Sequence, residues 1–241
     1  MSLIDRMEPS WPPVARFTHG PFVLRQGLGG GSRVSAISLA DPNAPADQIQ
    51  RALPDVEAAA RTLGQPPLFL LTDDDAADTA LANILRARGY ALSDEVFAFE
   101  GPLATAALAA GLKVHSGWPA DADALAVWNN DGRVGAARMA VMARARGEKA
   151  VISLCDATGP VGALFAAIHD GAAVLHAIEV IPAARGRGFG HALMIGASNW
   201  ARAHGVDRLM LVVTKQNLPA VTLYLRHGLQ VIGGYYYLKS A

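Results

Sequence analysis

Hydrophobic and polar positions along the C-terminal half of the chain follow a pattern that predicts an α/β fold. Short apolar runs predict strands, and longer stretches with apolar residues every three or four positions predict helices. Glycines follow two of these helices, at Gly205 and Gly228, as is common at helix C-termini. The predicted order is a helical region at 121–146 that breaks near Asp131-Gly132, strands at 149–155, 161–168 and 173–181, a helix at 189–204, a strand at 208–214, a helix at 218–227, and strands at 230–232 and 235–239.

The N-terminal half carries a similar pattern. Pro54 lies inside its first predicted helix and is expected to kink or divide it. The predicted elements are strands at 22–26 and 33–39 joined by a glycine-rich turn at 27–31, a helix at 45–63, a strand at 68–72, a helix at 75–88 and a strand at 95–100.

The two halves share one order of elements, which indicates an internal repeat. Each reads strand, strand, helix, strand, helix, strand, and LRARGY at 85–90 falls where YLRHGL at 224–229 falls in the second copy. Residues 101–111 between them are rich in Gly, Pro and Ala, as linkers are. We therefore predict two α/β domains, at residues 1–110 and 111–241.

Composition and charge narrow the functional classes. The 241 residues are 51% hydrophobic and 17% charged, which excludes a disordered chain. Lys+Arg and Asp+Glu are equal at 21 each, which argues against nucleic acid or an anionic membrane as partner. The N-terminus lacks the apolar segment of a signal peptide and Cys155 is the one cysteine, so we predict a cytoplasmic protein, as a monomer or homodimer.

The charges are nevertheless unevenly distributed. Residues 1–110 hold 8 basic and 13 acidic side chains, whereas residues 111–241 hold 13 basic and 8 acidic ones. A phosphorylated partner is therefore expected on the C-terminal half.

A glycine-rich loop in that half has the position of an anion site. RGRGFG at 185–190 lies between a predicted strand and a predicted helix. The first N–H groups of a helix lack backbone partners and carry the positive end of its dipole, and glycines allow a phosphate to approach closely. The alternative for a loop of this kind is a flexible turn with solvated arginines.

The spacing of the loop excludes two common nucleotide sites. A Walker A loop requires Lys and then Ser or Thr after its last glycine, but His191 and Ala192 follow Gly190. The G-x-G-x-x-G dinucleotide fingerprint is also absent, and too few residues follow for the rest of a doubly wound sheet. NTP hydrolysis and a Rossmann oxidoreductase are therefore disfavoured.

The loop and the residues after it resemble the GNAT superfamily of N-acetyltransferases. The family hallmark, Arg/Gln-x-x-Gly-x-Gly/Ala, is matched by Arg185, Gly188 and Gly190, and Asn217 and Leu223-Tyr224 extend the likeness over roughly residues 112–241. The resemblance implies a mostly antiparallel mixed sheet flanked by helices, with acetyl-CoA as the acyl donor. The N-terminal half lacks the glycine loop and has Leu85 in place of Tyr224, so it resembles a degenerate copy, as in tandem GNAT proteins.

The resemblance also implies roles for single residues. In the family the loop amides hold the pyrophosphate of acetyl-CoA, and the end of the preceding strand pairs with its pantetheine arm. Tyr224 stands where the family has the tyrosine that protonates the departing thiolate, with an ordinary packed tyrosine as the alternative. The residues implied to bind acetyl-CoA are Ile178, Val180, Arg185, Gly186, Arg187, Gly188, Phe189, Gly190, Asn217 and Tyr224.

The amine acceptor requires a base, because an amine with a pKa of about 10 is protonated at neutral pH. Glu179 lies in an otherwise apolar strand and is the catalytic candidate for this role; the alternative is a carboxylate that faces solvent or pairs with an arginine. Strand alternation places His176 on the opposite face from Glu179, which argues against a dyad. The strand at 208–213 lacks the Glu that many family members carry there.

The predicted function is transfer of an acetyl group from acetyl-CoA to a primary amine by direct attack. One alternative is a non-catalytic CoA-binding or scaffolding domain, and another is an enzyme for a different acceptor or a longer acyl group. Trp118, Trp128 and Asn129 are expected on the acceptor side, where they either line the pocket or anchor the helical region to the sheet.

Overall fold

The computed structural model describes residues 2–73 and 76–240, with Asp131 described by its backbone alone. The chain forms two compact units, each of which combines separate stretches of sequence. Unit 1 consists of Met1–Pro12, Phe99–Val213 and Asn217–Ile232, and unit 2 of Pro13–Ala98, Thr214–Gln216 and Gly233–Ala241. The predicted division into domains 1–110 and 111–241 stays a prediction.

The described residues form a mixed α/β fold. The helices are α1 Leu3–Met7, α2 Ala46–Thr62, α3 Ala76–Ala87, α4 Ala122–Asp131, α5 Ala136–Arg144, α6 Phe189–Ala203 and α7 Leu218–Arg226, with 3₁₀ turns at Glu8–Ser10 and Pro182–Ala184. The strands are β1 Ala15–His19, β2 Phe22–Gln26, β3 Ile37–Leu39, β4 Leu68–Thr72, β5 Ala91–Pro102, β6 Lys113–Gly117, β7 Lys149–Asp156, β8 Gly159–His169, β9 Ala172–Val180, β10 Arg208–Thr214 and β11 Gln230–Lys239.

Most predicted elements are confirmed. The bounds of β2, β4 and β10 match the prediction, and α4 ends at Gly132, whose φ of 66° provides the left-handed cap that separates α4 from α5. β8 and β9 form an antiparallel hairpin, and its turn residues Asp170 and Gly171 have φ values of 50° and 68°. The predicted start of α3, Asp75, lies outside the described residues.

Other predictions were wrong or incomplete. The strand predicted at 33–39 is limited to β3, the two closing strands are one strand, β11, and α1, β1 and β6 were not predicted. In β1 the residues are mostly exposed, so no apolar alternation marks the strand, and backbone pairing with β2 forms it. The helix α2 continues through Pro54 without dividing, since Leu53 and Val56 on either side are fully buried.

Unit 2 contains strands in the order β1-β2-β3-β4-β11. Neighbours in this order pair antiparallel, except for the parallel pair β3 and β4. The helices α2 and α3 cover this sheet through an apolar core. The largest fully buried side chains of that core are Phe22, Leu24, Ile37, Leu53, Phe69, Leu71, Leu81 and Leu85.

Unit 1 contains strands in the order β10-β9-β8-β7-β6, with helices on both faces. The strands pair antiparallel except for β9 and β10, which are parallel. On one face α6 packs so closely that a Cβ on Gly162 would come within 2.9 Å of Leu193. On the other face α4 is tied to β7 by the hydrogen bond from the Ser153 hydroxyl to Asp121.

The N-terminal segment Met1–Pro12 belongs to unit 1 and contributes to its core. Met7 is fully buried beside Ala172, Val174 and Met210. Arg6 donates hydrogen bonds to Glu100 and Asp170. The segment therefore stabilises β9 directly, although it lies far from that strand in the sequence.

The predicted repeat has a structural counterpart in strand direction. In unit 2, β2 and β3 are antiparallel and β3 and β4 are parallel; in unit 1, β8 and β9 are antiparallel and β9 and β10 are parallel. In both cases a helix connects the two parallel strands, as a crossover between parallel strands requires.

Candidate active site

A bulge in β9 shapes the strand that leads to the glycine loop. Glu179 pairs with Ala163 of β8 and His176 with Phe165, so two residues of β9 lie opposite one residue of β8. Ala177, within the bulge, has a φ of 51°, in the left-handed region that a side chain disfavours. Ala163 and Phe165 are two positions apart and point to the same face, and directly opposed residues share a face.

Because of the bulge, the predicted orientation of Glu179 relative to His176 was wrong. Simple alternation placed Glu179 and His176 on opposite faces, but the inserted residue reverses the alternation, and both point to the face that α4 covers. The contact between the His176 and Phe165 rings, with centroids 6.2 Å apart, agrees with this register. His176 is buried and bonds to the Ser10 hydroxyl.

β9 separates from β10 just before the bulge. Their parallel pairing extends from Ala172 and Arg208 to Leu175 and Leu211 and ends there. Ile181 donates its N–H to β8, and successive residues of an extended strand direct their N–H groups to opposite edges, so Val180 directs its N–H toward the open side. Ile178 and Val180 thus lie on the stretch where β9 has left β10, as expected for a strand that pairs with a ligand.

The glycine loop follows this open strand end after the 3₁₀ turn Pro182–Ala184. Gly186 and Gly188 have φ values of 76° and 87°, which favour glycine, and a Cβ at either position would meet nothing within 4 Å. Gly188 is the N-cap of α6 and no side chain caps it. Gly190 faces the other way, since a Cβ there would come within 3.0 Å of Leu223 on α7. The loop therefore presents uncapped helix N–H groups at an open surface.

Both loop arginines are held by neighbours within unit 1. The Arg185 Nε donates to the Val180 carbonyl at 3.1 Å, which ties the loop to the open strand end. Arg187 pairs with Asp156 at 3.3 Å and lies over the Phe189 ring, with 4.9 Å to its centroid. The Thr158 hydroxyl and amide, together with Arg187, lower the pKa of Asp156. The positive charge of Arg187 is therefore partly balanced by Asp156.

Tyr224 lies on α7 with its ring in the interior of unit 1. It is 5% exposed, and its ring contacts Phe99 in an edge-to-face arrangement. Burial raises the pKa of the Tyr224 phenol, and the negative charge of Glu179 raises it further. The phenol is therefore protonated at neutral pH, and Glu179 is close enough to influence it. Asn217 caps α7 by accepting a hydrogen bond from the Ala220 N–H at 3.3 Å.

Glu179 has one positively charged neighbour, Arg133, and one phenolic neighbour, Tyr224. Its side chain is 19% exposed, and its carboxylate is 3.9 Å from a guanidinium nitrogen of Arg133, which is an ion-pair distance too long for a hydrogen bond. Its charge also acts on Tyr224. The structure thus brings Glu179 and Tyr224 together on unit 1, and adds Arg133, which sequence reasoning did not single out.

Two of the three residues expected on the acceptor side contact the sheet of unit 1. Trp128 is 1% exposed and donates its indole N–H to the Ala177 carbonyl at 3.0 Å. Trp118 packs against the Phe165 ring at 5.7 Å, while Asn129 is exposed. Trp128 therefore acts as an anchor between helix and sheet.

Ser10 and Trp11 were not predicted at this site. The Trp11 ring lies 4.9 Å from the His176 ring, and the Ser10 hydroxyl bonds to the same imidazole. No local motif marks either residue, since they lie more than 160 positions before His176 in the chain. The one sequence signal is that Trp11 is a large apolar residue, which is usually buried.

Residues 2–73 and 76–240 contain neither a metal-binding cluster nor a membrane-spanning helix. No group of three or more His, Cys, Asp or Glu side chains in that part of the chain is arranged to hold a metal ion. None of its helices combines the length and the apolar character that crossing a membrane requires.

Comparison with known proteins places this site in a family. The model of the acetyltransferase (GNAT) family matches residues 116–229, which include the open strand end, the glycine loop and Tyr224. These residues form a GNAT domain. The streptothricin acetyltransferase of Streptomyces lavendulae is 45% identical over 56 residues, which are 23% of this chain and 30% of that protein. The match therefore spans less than a third of that relative.

Solved GNAT structures share the fold over nearly the whole chain. A GCN5-related N-acetyltransferase from Kribbella flavida superimposes with a TM-score of 0.77 at 16% identity and covers 99% of this chain and 94% of its own. A tandem GNAT protein from the clavulanic acid biosynthesis pathway gives a TM-score of 0.62 at 15% identity, over 91% and 77% of the two chains. At these identities the likeness is one of fold, and it extends beyond the GNAT domain into the N-terminal half.

Proposed function

We propose that the chain transfers an acetyl group from acetyl-CoA to a primary amine by direct attack. The observation that carries the proposal is the continuity of three features in the GNAT domain: β9 leaves β10, the glycine loop follows, and α6 begins without a side-chain cap. Together they offer backbone donors first to a pantetheine arm and then to a pyrophosphate.

The donor site uses the residues of the loop and the strand end. Loop and helix N–H groups from Gly186 to Gly190 hold the pyrophosphate, and Arg187 adds positive charge beside it. Ile178 and Val180 pair with the pantetheine arm along the open edge of β9. Asn217, the N-cap of α7, completes the proposed set with Tyr224 on the same helix.

The reaction uses the side chains that converge at this opening. Glu179 takes a proton from the ammonium, and the free amine attacks the thioester carbonyl. The Val180 N–H donates to the oxyanion of the tetrahedral intermediate. The carbon–sulfur bond then breaks, Tyr224 protonates the thiolate, and a proton from the new amide nitrogen leaves to solvent as Glu179 restores the phenol. The products are the amide and CoA.

The raised pKa of Tyr224 fits this role in one specific way. A buried phenol beside a carboxylate stays protonated throughout the neutral range, so a hydrogen-bond donor is always present for the developing thiolate. Arg133 places a positive charge 3.9 Å from the carboxylate of Glu179, the group that accepts the amine proton in this proposal.

We also propose that the N-terminal half is a degenerate copy without an acyl-CoA site. It has no glycine loop between β3 and α2, and Leu85 replaces the tyrosine. The domain bounds 1–110 and 111–241, a cytoplasmic location, and a monomeric or homodimeric state stay predictions of the sequence.

The test measures acetyl-CoA binding and turnover separately. Calorimetric titration gives the Kd of acetyl-CoA, and release of the CoA thiol is followed with a panel of primary amines that includes streptothricin, the compound named for the Streptomyces lavendulae relative. We expect binding, and CoA release that depends on an amine. Competition with longer acyl-CoAs defines the acyl group.

Tyr224→Phe is the matched variant for the chemical step. It keeps the ring against Phe99 and removes the proton donor, so kcat is expected to fall by about 100-fold while the Kd of acetyl-CoA changes by less than about threefold. Failure of the folded protein to bind acetyl-CoA contradicts the proposal. Binding without turnover of any amine favours a CoA-binding domain instead.

A further inference from the structure

The bulge in β9 is held from both sides by side chains that the proposed reaction does not use. It determines the face on which Glu179 lies, because each inserted residue reverses the alternation of a strand. The inference below rests on the proposed function, in which Glu179 is the base.

Trp128 holds the bulge at the residue with the left-handed backbone. Its indole N–H donates to the Ala177 carbonyl at 3.0 Å, and the side chain is 1% exposed. The bulge displaces this carbonyl from the regular ladder, and the indole N–H gives it a hydrogen-bond partner. Ala177 has a φ of 51°, and its own Cβ disfavours this left-handed conformation. The hydrogen bond from Trp128 therefore opposes the return of the strand to a regular β conformation.

The residue before the bulge is locked by the N-terminal segment. The Ser10 hydroxyl donates its one proton to the Met7 carbonyl at 2.7 Å, so it accepts at 2.8 Å from the Nε2–H of His176. The His176 ring also lies 4.9 Å from the Trp11 ring. This arrangement keeps the side chain of His176 on the α4 face and prevents the register of β9 from slipping at that point.

We propose that Trp128 is a positioning residue for the transfer reaction, assisted by Ser10, and that it keeps Glu179 on the α4 face by holding the bulge at Ala177. Loss of the indole N–H lets Ala177 return to the β region, which turns Glu179 toward the α6 face and away from the amine. The glycine loop lies beyond the strand, so its contacts with the pyrophosphate persist, whereas the contacts of Ile178 and Val180 with the pantetheine arm weaken.

The test compares Trp128→Phe with Trp200→Phe. Both replace a buried indole in unit 1 by a phenyl ring, but Trp200 lies on α6, away from the bulge. We expect Trp128→Phe to lower kcat by about 20-fold while raising the KM for acetyl-CoA by less than about fivefold, and Trp200→Phe to leave both within about twofold.

A second substitution separates positioning from general loss of packing. Adding Ala177→Gly to Trp128→Phe removes the Cβ that opposes the left-handed backbone, so glycine holds the bulge without the indole. We expect the double variant to regain at least about fivefold in kcat. A Trp128→Phe protein that folds with an unchanged kcat, or a double variant that regains nothing, overturns the proposal.

Two further measurements cover the remaining outcomes. If Trp128→Phe does not fold, Ser10→Ala tests the support that the bulge receives through His176. We expect kcat to fall by about fivefold while the KM for acetyl-CoA rises by less than about threefold, and an unchanged kcat overturns the proposal. If the wild type turns over no amine, the proposed function fails on its own. The ¹³Cα and ¹³Cβ shifts of Ala177 then report its backbone directly, and identical shifts in wild type and Trp128→Phe overturn the inference.

Discussion

The connection from β9 to α6 in unit 1 and the connection from β3 to α2 in unit 2 occupy the same place in the repeated order of elements, but they differ in chemistry. Before α6 the chain has Gly186 and Gly188 in left-handed conformations at an open surface. Before α2 it has Pro45 as N-cap and a turn in which the Asn43 N–H donates to the Asp41 carboxylate. Neither helix has a side-chain cap.

Charge distinguishes the two helix starts further. Arg185 and Arg187 precede α6, whereas Asp41 precedes α2 and Asp47 lies in its first turn. Acidic residues already interact favourably with the positive end of the α2 dipole, so no anionic ligand is required there. Basic residues at the start of α6 leave that favourable position to a ligand.

The helices that follow show the same division. Leu85 on α3 is fully buried in the apolar core of unit 2, while Tyr224 at the corresponding position of α7 lies beside Phe99 and under the influence of Glu179. The same position of the repeated fold therefore has two roles. In unit 2 its side chain packs in the apolar core, and in unit 1 it places a phenol at a proposed active site.

Substitutions at Leu85 and at Tyr224 are expected to give the largest effect. Leu85→Ala opens a cavity in the core of unit 2 and should lower the free energy of unfolding by about 3 kcal/mol, with the Kd of acetyl-CoA within about twofold. Tyr224→Phe should change stability by less than about 1 kcal/mol, although it lowers kcat. Urea denaturation and calorimetry measure both. A large loss of acetyl-CoA affinity in Leu85→Ala would show that the N-terminal half takes part in donor binding.

The glycine loop provides the next contrast. Gly188→Trp and Gly64→Trp each place an indole on a glycine with positive φ and open space around it, the first before α6 and the second after α2. The backbone strain is thus similar, and only the first indole blocks the uncapped helix. Gly188→Trp should weaken acetyl-CoA binding by about 100-fold and Gly64→Trp by less than about twofold. Equal losses in calorimetric titration would point to strain instead.

Removal of one arginine should give a smaller effect. Arg187→Ala deletes a positive charge beside the loop and is expected to weaken acetyl-CoA binding about threefold at low salt, with less effect at high salt because the charge is exposed. Arg51→Ala is the control, since Arg51 pairs with Asp47 in the first turn and a half of α2. Calorimetric titration of acetyl-CoA at two ionic strengths measures both variants. A loss of affinity that is independent of salt would be inconsistent with a charge contribution.

The smallest expected effect concerns pH. Burial, and the neighbouring His191, lower the pKa of His227, whereas Arg88 at the corresponding position of unit 2 pairs with Glu57. A lowered folded-state pKa means that the unfolded chain takes up the proton first, so stability contributed by neutral His227 is present above about pH 6.5 and is lost as the pH falls below it.

The measurement is the difference in Tm between pH 7.5 and pH 5. It should be smaller in His227→Asn than in the wild type by about 1 to 2 °C, and intermediate in His191→Asn, which removes the neighbouring imidazole but leaves His227 buried. Leu225→Ala, which removes an exposed and uncharged side chain from α7, should leave the pH dependence of the wild type unchanged. Identical pH dependence in His227→Asn and wild type would contradict the prediction.

Much of the architecture of unit 1 follows from local sequence. Strands β7 to β10 and helices α6 and α7 appear within a residue or two of their predicted bounds, because each has a clear apolar period and a glycine or turn at its end. The glycine loop was recognisable for the same reason, since its spacing and its place between strand and helix lie within one short stretch.

Weakly patterned elements were not predictable in this way. Exposed β1 and short α1 carry no apolar period, and they form because neighbouring parts of the chain offer backbone partners or a buried site for Met7. Pro54 was expected to interrupt α2, but one lost backbone hydrogen bond is outweighed by the apolar residues that the helix buries on both sides of it.

The sequence by itself determined the order of elements, the repeat, the glycine loop and the identity of the residues that resemble a GNAT site, since all of these depend on neighbours along the chain. Only the tertiary structure decided the face on which Glu179 lies. That face depends on one bulged residue, Ala177, whose conformation is opposed by its own Cβ and supported by Trp128, 49 positions earlier. A side-chain hydrogen bond over that separation has no local period, so no pattern along the chain reveals it.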